Sequence, residues 1–162
     1  MNTISPTKLV RELGVILDNE LSMTTHVNKI SGICFYQLRL LKKIKRILGT
    51  DITARLVSAY IISHLNYCNS VLAGLPTSTT APLQQVQNSA ARLVKRLGPR
   101  IHISSALRDL NWLLVNFRIT YKLCMMMHTV YNHHCLEYIS RLVTSTASIP
   151  SCSRLCSATR IR

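Results

Sequence analysis

Residues 51–100 read DITARLVSAYIISHLNYCNSVLAGLPTSTTAPLQQVQNSAARLVKRLGPR, and the fold turns on this stretch. It predicts two helices joined by a polar elbow, Gly74-Leu75-Pro76-Thr77-Ser78-Thr79-Thr80. In the first helix Val57, Ile61, His64, Leu65, Cys68 and Leu72 recur at three- and four-residue steps, which places them on one face. Asp51 is expected to cap its start by accepting from the free N–H groups of the first turn. Gly74 tolerates a positive φ and Pro76 cannot continue a helix, so the first helix stops there. Thr80 is expected to cap the second, with Pro82 in its first turn, where a missing N–H costs little. Leu83, Val86, Ala90, Leu93 and Leu97 form a second apolar seam, ended by Gly98-Pro99. Two seams need more helices around them to be buried. The expected fold class is therefore mainly α, an antiparallel helical bundle.

The length of 162 residues fits one domain with a real core, and 48% apolar residues argue against a disordered tail. Twenty Lys plus Arg against six Asp plus Glu leave a net charge of +14 and a pI near 10.1. That balance points to a polyanionic partner, nucleic acid first and an anionic membrane surface second. It exceeds what solubility asks of a small domain. Of the six cysteines, Cys34, Cys68 and Cys124 sit within helical patterns, where a free thiol packs as a small hydrophobe. The N-terminus lacks an apolar signal-peptide core, so an intracellular, nuclear or cytoplasmic, reducing setting is expected rather than secretion. The stretch from Leu56 to Leu75 is broken by His64, Asn66 and Asn69 and reads as a buried helix, not a membrane span.

Residues 1–22 are expected to form an irregular lead-in with one short strand, Leu13-Gly14-Val15-Ile16-Leu17, that lacks a partner. Residues 23–143 carry the helical region and 144–162 an irregular tail rich in Ser and Thr. The first helix of that region starts with Thr24 or Thr25 as cap and has Val27, Ile30, Cys34, Leu41, Ile44 and Leu48 as its seam. Off the seam, Arg39, Lys42, Lys43 and Arg46 share a face at three- and four-residue spacing, with Lys45 alongside. No acidic residue falls between His26 and Thr50. Such a face can follow a phosphate backbone, and it equally suits a solvated helix C-terminus. The helix ending near residue 97 repeats the pattern with Arg92, Lys95 and Arg96, followed by Arg100. Two basic clusters without acidic partners at i,i+4 favour a shared anionic ligand. Ser104 or Ser105 is expected to cap a short helix, and further helices fall near 117–131 and 136–143. Trp112 and the run Met125-Met126-Met127 read as core.

Catalytic chemistry finds little footing. His133-His134-Cys135 with Cys152 and Cys156 has zinc-type ligands, but no tight Cys-x2-Cys or His-x3-His pair anchors them. Six scattered carboxylates do not make a two-metal centre. No Walker A or G-x-G-x-x-G motif is present. No catalytic residue, metal or cofactor is expected.

One ordered series of residues is more specific. It comprises Leu13-Gly14-Val15 with Asp18 and Leu21-Ser22; Leu65-Asn66-Tyr67-Cys68-Asn69; Gly74-Leu75-Pro76; Leu83-Gln84-Gln85-Val86-Gln87-Asn88-Ser89-Ala90-Ala91-Arg92; Leu110-Asn111-Trp112-Leu113; and Arg118-Ile119 with Lys122. It resembles the segment downstream of the catalytic palm in non-LTR (LINE-type) retrotransposon reverse transcriptases of the jockey and chicken-repeat kind. The likeness spans roughly Val10 to Val143. It departs at Leu114, where the family has Pro, and at Asn132-His133-His134-Cys135-Leu136, where the family runs Asn-Gly-Leu-Ala-Pro. The resemblance implies a thumb region that helps hold an RNA template and DNA primer. It also implies that the strand at residues 13–17 belongs beside a palm not contained in this chain. The family's Tyr-x-Asp-Asp has no counterpart here, so an inert fragment of an RNA-directed DNA polymerase is expected. The phosphate contacts would be Arg39, Lys42, Lys43, Arg46, Arg92, Lys95 and Arg96. The alternative is a stand-alone basic helical module whose apolar seam binds a protein or whose cations bind nucleic acid.

Overall fold

A β-hairpin leads the helices. Leu9–Glu12 (β1) pairs antiparallel with Val15–Asp18 (β2), Leu9 opposite Asp18 and Glu12 opposite Val15. The computed structural model describes residues 8–132 and 134–143. The strand expected to stand alone therefore has a partner, formed from residues expected to be irregular. The reason lies in the turn. Leu13 and Gly14 both take positive φ, 45° and 85°, which is the backbone of a two-residue hairpin turn. Glycine does this freely, whereas leucine is strained by about 1 kcal/mol or more. The Tyr67 hydroxyl holds the strained turn by donating to the Leu13 carbonyl at 2.6 Å.

Asp18 closes β2 and starts the next element. Its carboxylate accepts from the Ser22 hydroxyl at 2.5 Å and from the N–H groups of Ser22 and Met23 at 3.2 and 3.0 Å. These bonds, the Ser22 hydroxyl foremost, hold the carboxyl below its usual range. Helix α1 then runs Thr24–Ile44, and Met23 in the left-handed region, not Thr24 or Thr25, is its N-cap position. Val27, Cys34 and Leu41 are buried along it as the spacing predicts, joined by Leu38, while Ile44 is exposed.

The helix expected over residues 51–72 is broken in two places. Gly49 occupies the N-cap position of α2 (Thr50–Val57), and Asp51 lies in its first turn, paired with Arg55 at 3.1 Å. A π-turn, Ser58–Ile62, follows and leads into α3, Ser63–Asn66. The Ser63 hydroxyl donates back to the Ala59 carbonyl, a bond that loosens the helical ladder. The wide turn shifts the phase of the apolar face, so Ile61 and Ile62 are both buried and His64 is exposed. Tyr67 is extended and Cys68 left-handed, which ends the helix before a 3-10 turn at Asn69–Leu72. Gly74 does take a positive φ, 76°.

Helix α4, Thr77–Lys95, begins three residues before the expected cap. Thr80 is buried, and its hydroxyl lies 3.2 Å from both the Thr77 carbonyl and Asn116 Oδ1. That contact, from a segment 36 residues away, was invisible to local reading. Pro82 then removes the bond that its N–H would have given the Ser78 carbonyl. Leu83, Val86, Ala90 and Leu93 are buried, joined by Gln87, Ala91 and Val94. The helix ends on Arg96 in the left-handed region rather than at Gly98, with the Leu97 N–H on the Arg92 carbonyl at 3.0 Å.

Helix α4 packs most extensively on α1, not on its neighbour in sequence. Helix α5 is Ser104–Asp109, preceded by Ile103 where a serine cap was expected, and α6 is Val115–Tyr131. Trp112 between them is half-buried against the core. Two compact units divide the chain, Met1–Tyr121 and Lys122–Arg162. Of the second unit, the end of α6 and the short α7, Glu137–Leu142, are described. Met125, Met126 and Met127 are exposed, contrary to the expected core role. Three consecutive helical residues fan over about 200°, so no single packed face could bury all three.

Candidate nucleic-acid interface

The C-terminal halves of α1 and α4 lie side by side and leave an open cleft of about 340 Å³. Its cations come from both helices: Arg39, Lys42 and Lys45 from α1 and its exit turn, Arg92 from α4. Among the described residues no acidic side chain lines it. Helical phase explains the choice. Counting from Leu38, which faces the core, Lys42 and Phe35 lie about 40° and 60° round the helix and Arg39 about 100°. Lys43, at about 140°, turns further from the cleft, and Arg46 lies past the last helical residue. Both are exposed. Among the described residues, Arg39, Lys42, Lys43, Lys45 and Arg46 have no ion-pair partner.

The second predicted cluster divides. Lys95 is paired with Asp109 of α5 at 3.2 Å, an acidic partner that i,i+4 counting could not find. Arg96 points its Nη2 at the Lys45 and Leu48 carbonyls, 3.5 Å from each, which ties the end of α4 to the exit of α1. Arg92 reaches the Ile101 carbonyl at 3.5 Å, and its Nε is buried without an acceptor among the described residues. Lys45 lines the cleft, although the sequence reading set it beside the basic face and not among the phosphate contacts. Its signal was present, since it lies four residues after the buried Leu41 and seven after Leu38.

Two helix C-termini meet at this end, each carrying about half a negative charge from its macrodipole. Together they offset about one unit. The cleft alone holds four cations, so stabilising the helix ends uses only a fraction of the charge.

The motif series has a different use. Gln87 is fully buried, and its Nε2 donates to the Leu113 carbonyl at 2.7 Å. Gln84 Oε1 accepts from the Val115 N–H at 2.9 Å, serving one of the free donors at the start of α6, and its amide donates to Asn88. Arg118, half-buried, donates from Nε to the Leu113 carbonyl at 2.8 Å and from Nη1 to Asn66 Oδ1 at 2.9 Å. Burial lowers its pKa from the ordinary value. Gln84, Gln87, Asn66, Tyr67 and Arg118 thus bind loops to helices.

Among the described residues no three of His, Cys, Asp and Glu converge to hold a metal ion. His133, Cys152 and Cys156 of the zinc-type set lie outside them. No described helix is long and apolar enough to cross a membrane. Comparison with protein-family models, with curated proteins and with solved structures returned no match.

Proposed function

We propose that the chain is a nucleic-acid-binding helical module, the thumb-like part of a retrotransposon-type reverse transcriptase that grips the template–primer backbone and performs no catalysis itself. The observation that carries this reading is the cleft between α1 and α4, with four cations and, among the described residues, no carboxylate on its walls. Phosphates are bound through charge and counterion release, which needs such a surface and no base-specific geometry. The motif residues support the family part of the proposal in a second way. Their internal bonds join α4 to the start of α6, α6 to α3, and Tyr67 to the hairpin turn. Polymerisation would belong to a palm with its own carboxylates.

The test is fluorescence anisotropy of an RNA–DNA hybrid duplex against a salt series. Binding that weakens steeply with salt is expected. No measurable binding at low salt refutes the proposal.

A second reading has its own observation. Leu113, Leu114 and Phe117 are exposed beside one another at the start of α6. A protein partner seated there would form a complex that persists in high salt, because apolar burial is not screened.

A further inference from the structure

The α1/α4 cleft differs from a plain phosphate-tracking surface in its lining. Beside its four cations the cleft is lined by Phe35, Leu38, Leu93, Leu97 and Pro99. Phosphates gain nothing from an apolar lining, and Phe35 and Leu97 in it are only partly buried. Arg92 on the same wall makes one long bond, from Nη2 to the Ile101 carbonyl at 3.5 Å. An occupant that satisfies both surfaces needs a flat apolar part next to anionic groups.

We propose, on the nucleic-acid reading above, that the cleft takes one unpaired nucleotide at a single-stranded end. The base lies against Phe35, Leu97 and Pro99, and the flanking phosphates lie on Arg39, Lys42, Lys45 and Arg92. In a duplex only base edges are offered, in the grooves. An unpaired base offers its π-face, which stacks on aromatic and guanidinium planes without regard to sequence. The volume of about 340 Å³ is at the small end for a ligand site, which suits one nucleotide rather than a stack of several. The site therefore recognises where pairing ends, not which base is there.

The experiment compares three fluorescent RNA–DNA hybrids by anisotropy with the full chain: blunt, with a one-nucleotide 3′ overhang, and with the same overhang made abasic. The abasic probe keeps the phosphate and removes only the base. The natural overhang is expected to bind at least about fivefold tighter than the abasic one, the lower end for one stacked base. Phe35→Leu keeps the lining apolar and should bring the natural overhang to the abasic level, with the melting midpoint monitored in parallel. Equal affinity for natural and abasic overhangs overturns the base site. If both then remain steeply salt-dependent, the backbone reading stands without it. If none of the three hybrids binds, both readings fall.

Discussion

Neutralising the cleft provides the sharpest test of where the charge acts. In Arg39→Gln/Lys42→Gln/Lys45→Gln the net charge falls from +14 to +11, since three of twenty cations are lost. The control Arg11→Gln/Lys29→Gln/Arg108→Gln has the same +11 but alters exposed residues that do not line the cleft. If each cleft cation releases the counterions of one phosphate, the slope of log K against log salt becomes shallower by about 0.9 per residue, or about 2.7 in all. Between 50 and 200 mM salt, a factor of four, that difference compounds to about 40-fold. The parent chain should lose that much more affinity for an RNA–DNA hybrid over this range than the cleft variant does. The control should keep a slope within about one unit of the parent. The assay is anisotropy at five salt concentrations, with thermal melts to show that both variants fold. Equal slopes for the two triple variants would mean that overall charge, not the cleft, attracts the ligand.

Other consequences concern the scaffold. His26 is 3% exposed and its Nδ1 accepts from the Ile16 N–H at 3.3 Å, joining α1 to β2. Burial first, and Lys29 second, lower its pKa below the ordinary 6.5. The folded chain thus binds this proton less readily than the unfolded one, so stability is fully present above about pH 6.5 and declines as pH falls from there toward the folded-state pKa. Urea midpoints at pH 7.5, 6 and 5 should fall in that order for the parent and less for His26→Asn. Gln87→Glu places a carboxylate at a fully buried position and should cost about 3 kcal/mol or more. Gln87→Leu should cost under about 1.5 kcal/mol, because the Leu113 carbonyl keeps its bond from Arg118; urea unfolding of the two measures the difference. Cys34 is fully buried and its thiol is pushed up to about 11 by that burial, whereas Cys124 is exposed. Iodoacetamide at pH 8 should label Cys124 in the native chain and reach Cys34 only after unfolding, read by mass spectrometry.

Local sequence was sufficient for the mainly helical class and for most of the core. Val27, Cys34, Leu41, Val57, Ile61, Leu65, Leu83, Val86, Ala90 and Leu93 are buried where the three- and four-residue spacing put them. Periodicity works there because a helix repeats every 3.6 residues regardless of what it packs on. Boundaries were less legible. Asp18, not a threonine, binds the backbone at the start of α1, and the π-turn at Ser58–Ile62 moves His64 out of the seam. Each depends on a bond that spacing does not encode.

The sequence by itself determined the amount and sign of charge, the helical class and the place of Arg39 and Lys42 off the buried face of α1. Tertiary structure decided which cations share a site. It set Lys42 and Lys45 opposite Arg92, gave Lys95 to Asp109 and turned Arg96 onto the carbonyls after α1. It also paired Leu9–Glu12 with the strand that seemed to lack a partner. The physical reason is range. Helical phase and net charge are properties of neighbouring residues, while a cleft, an ion pair between helices or a strand partner exists only once separate segments have packed and the loss of chain entropy has been offset by burial.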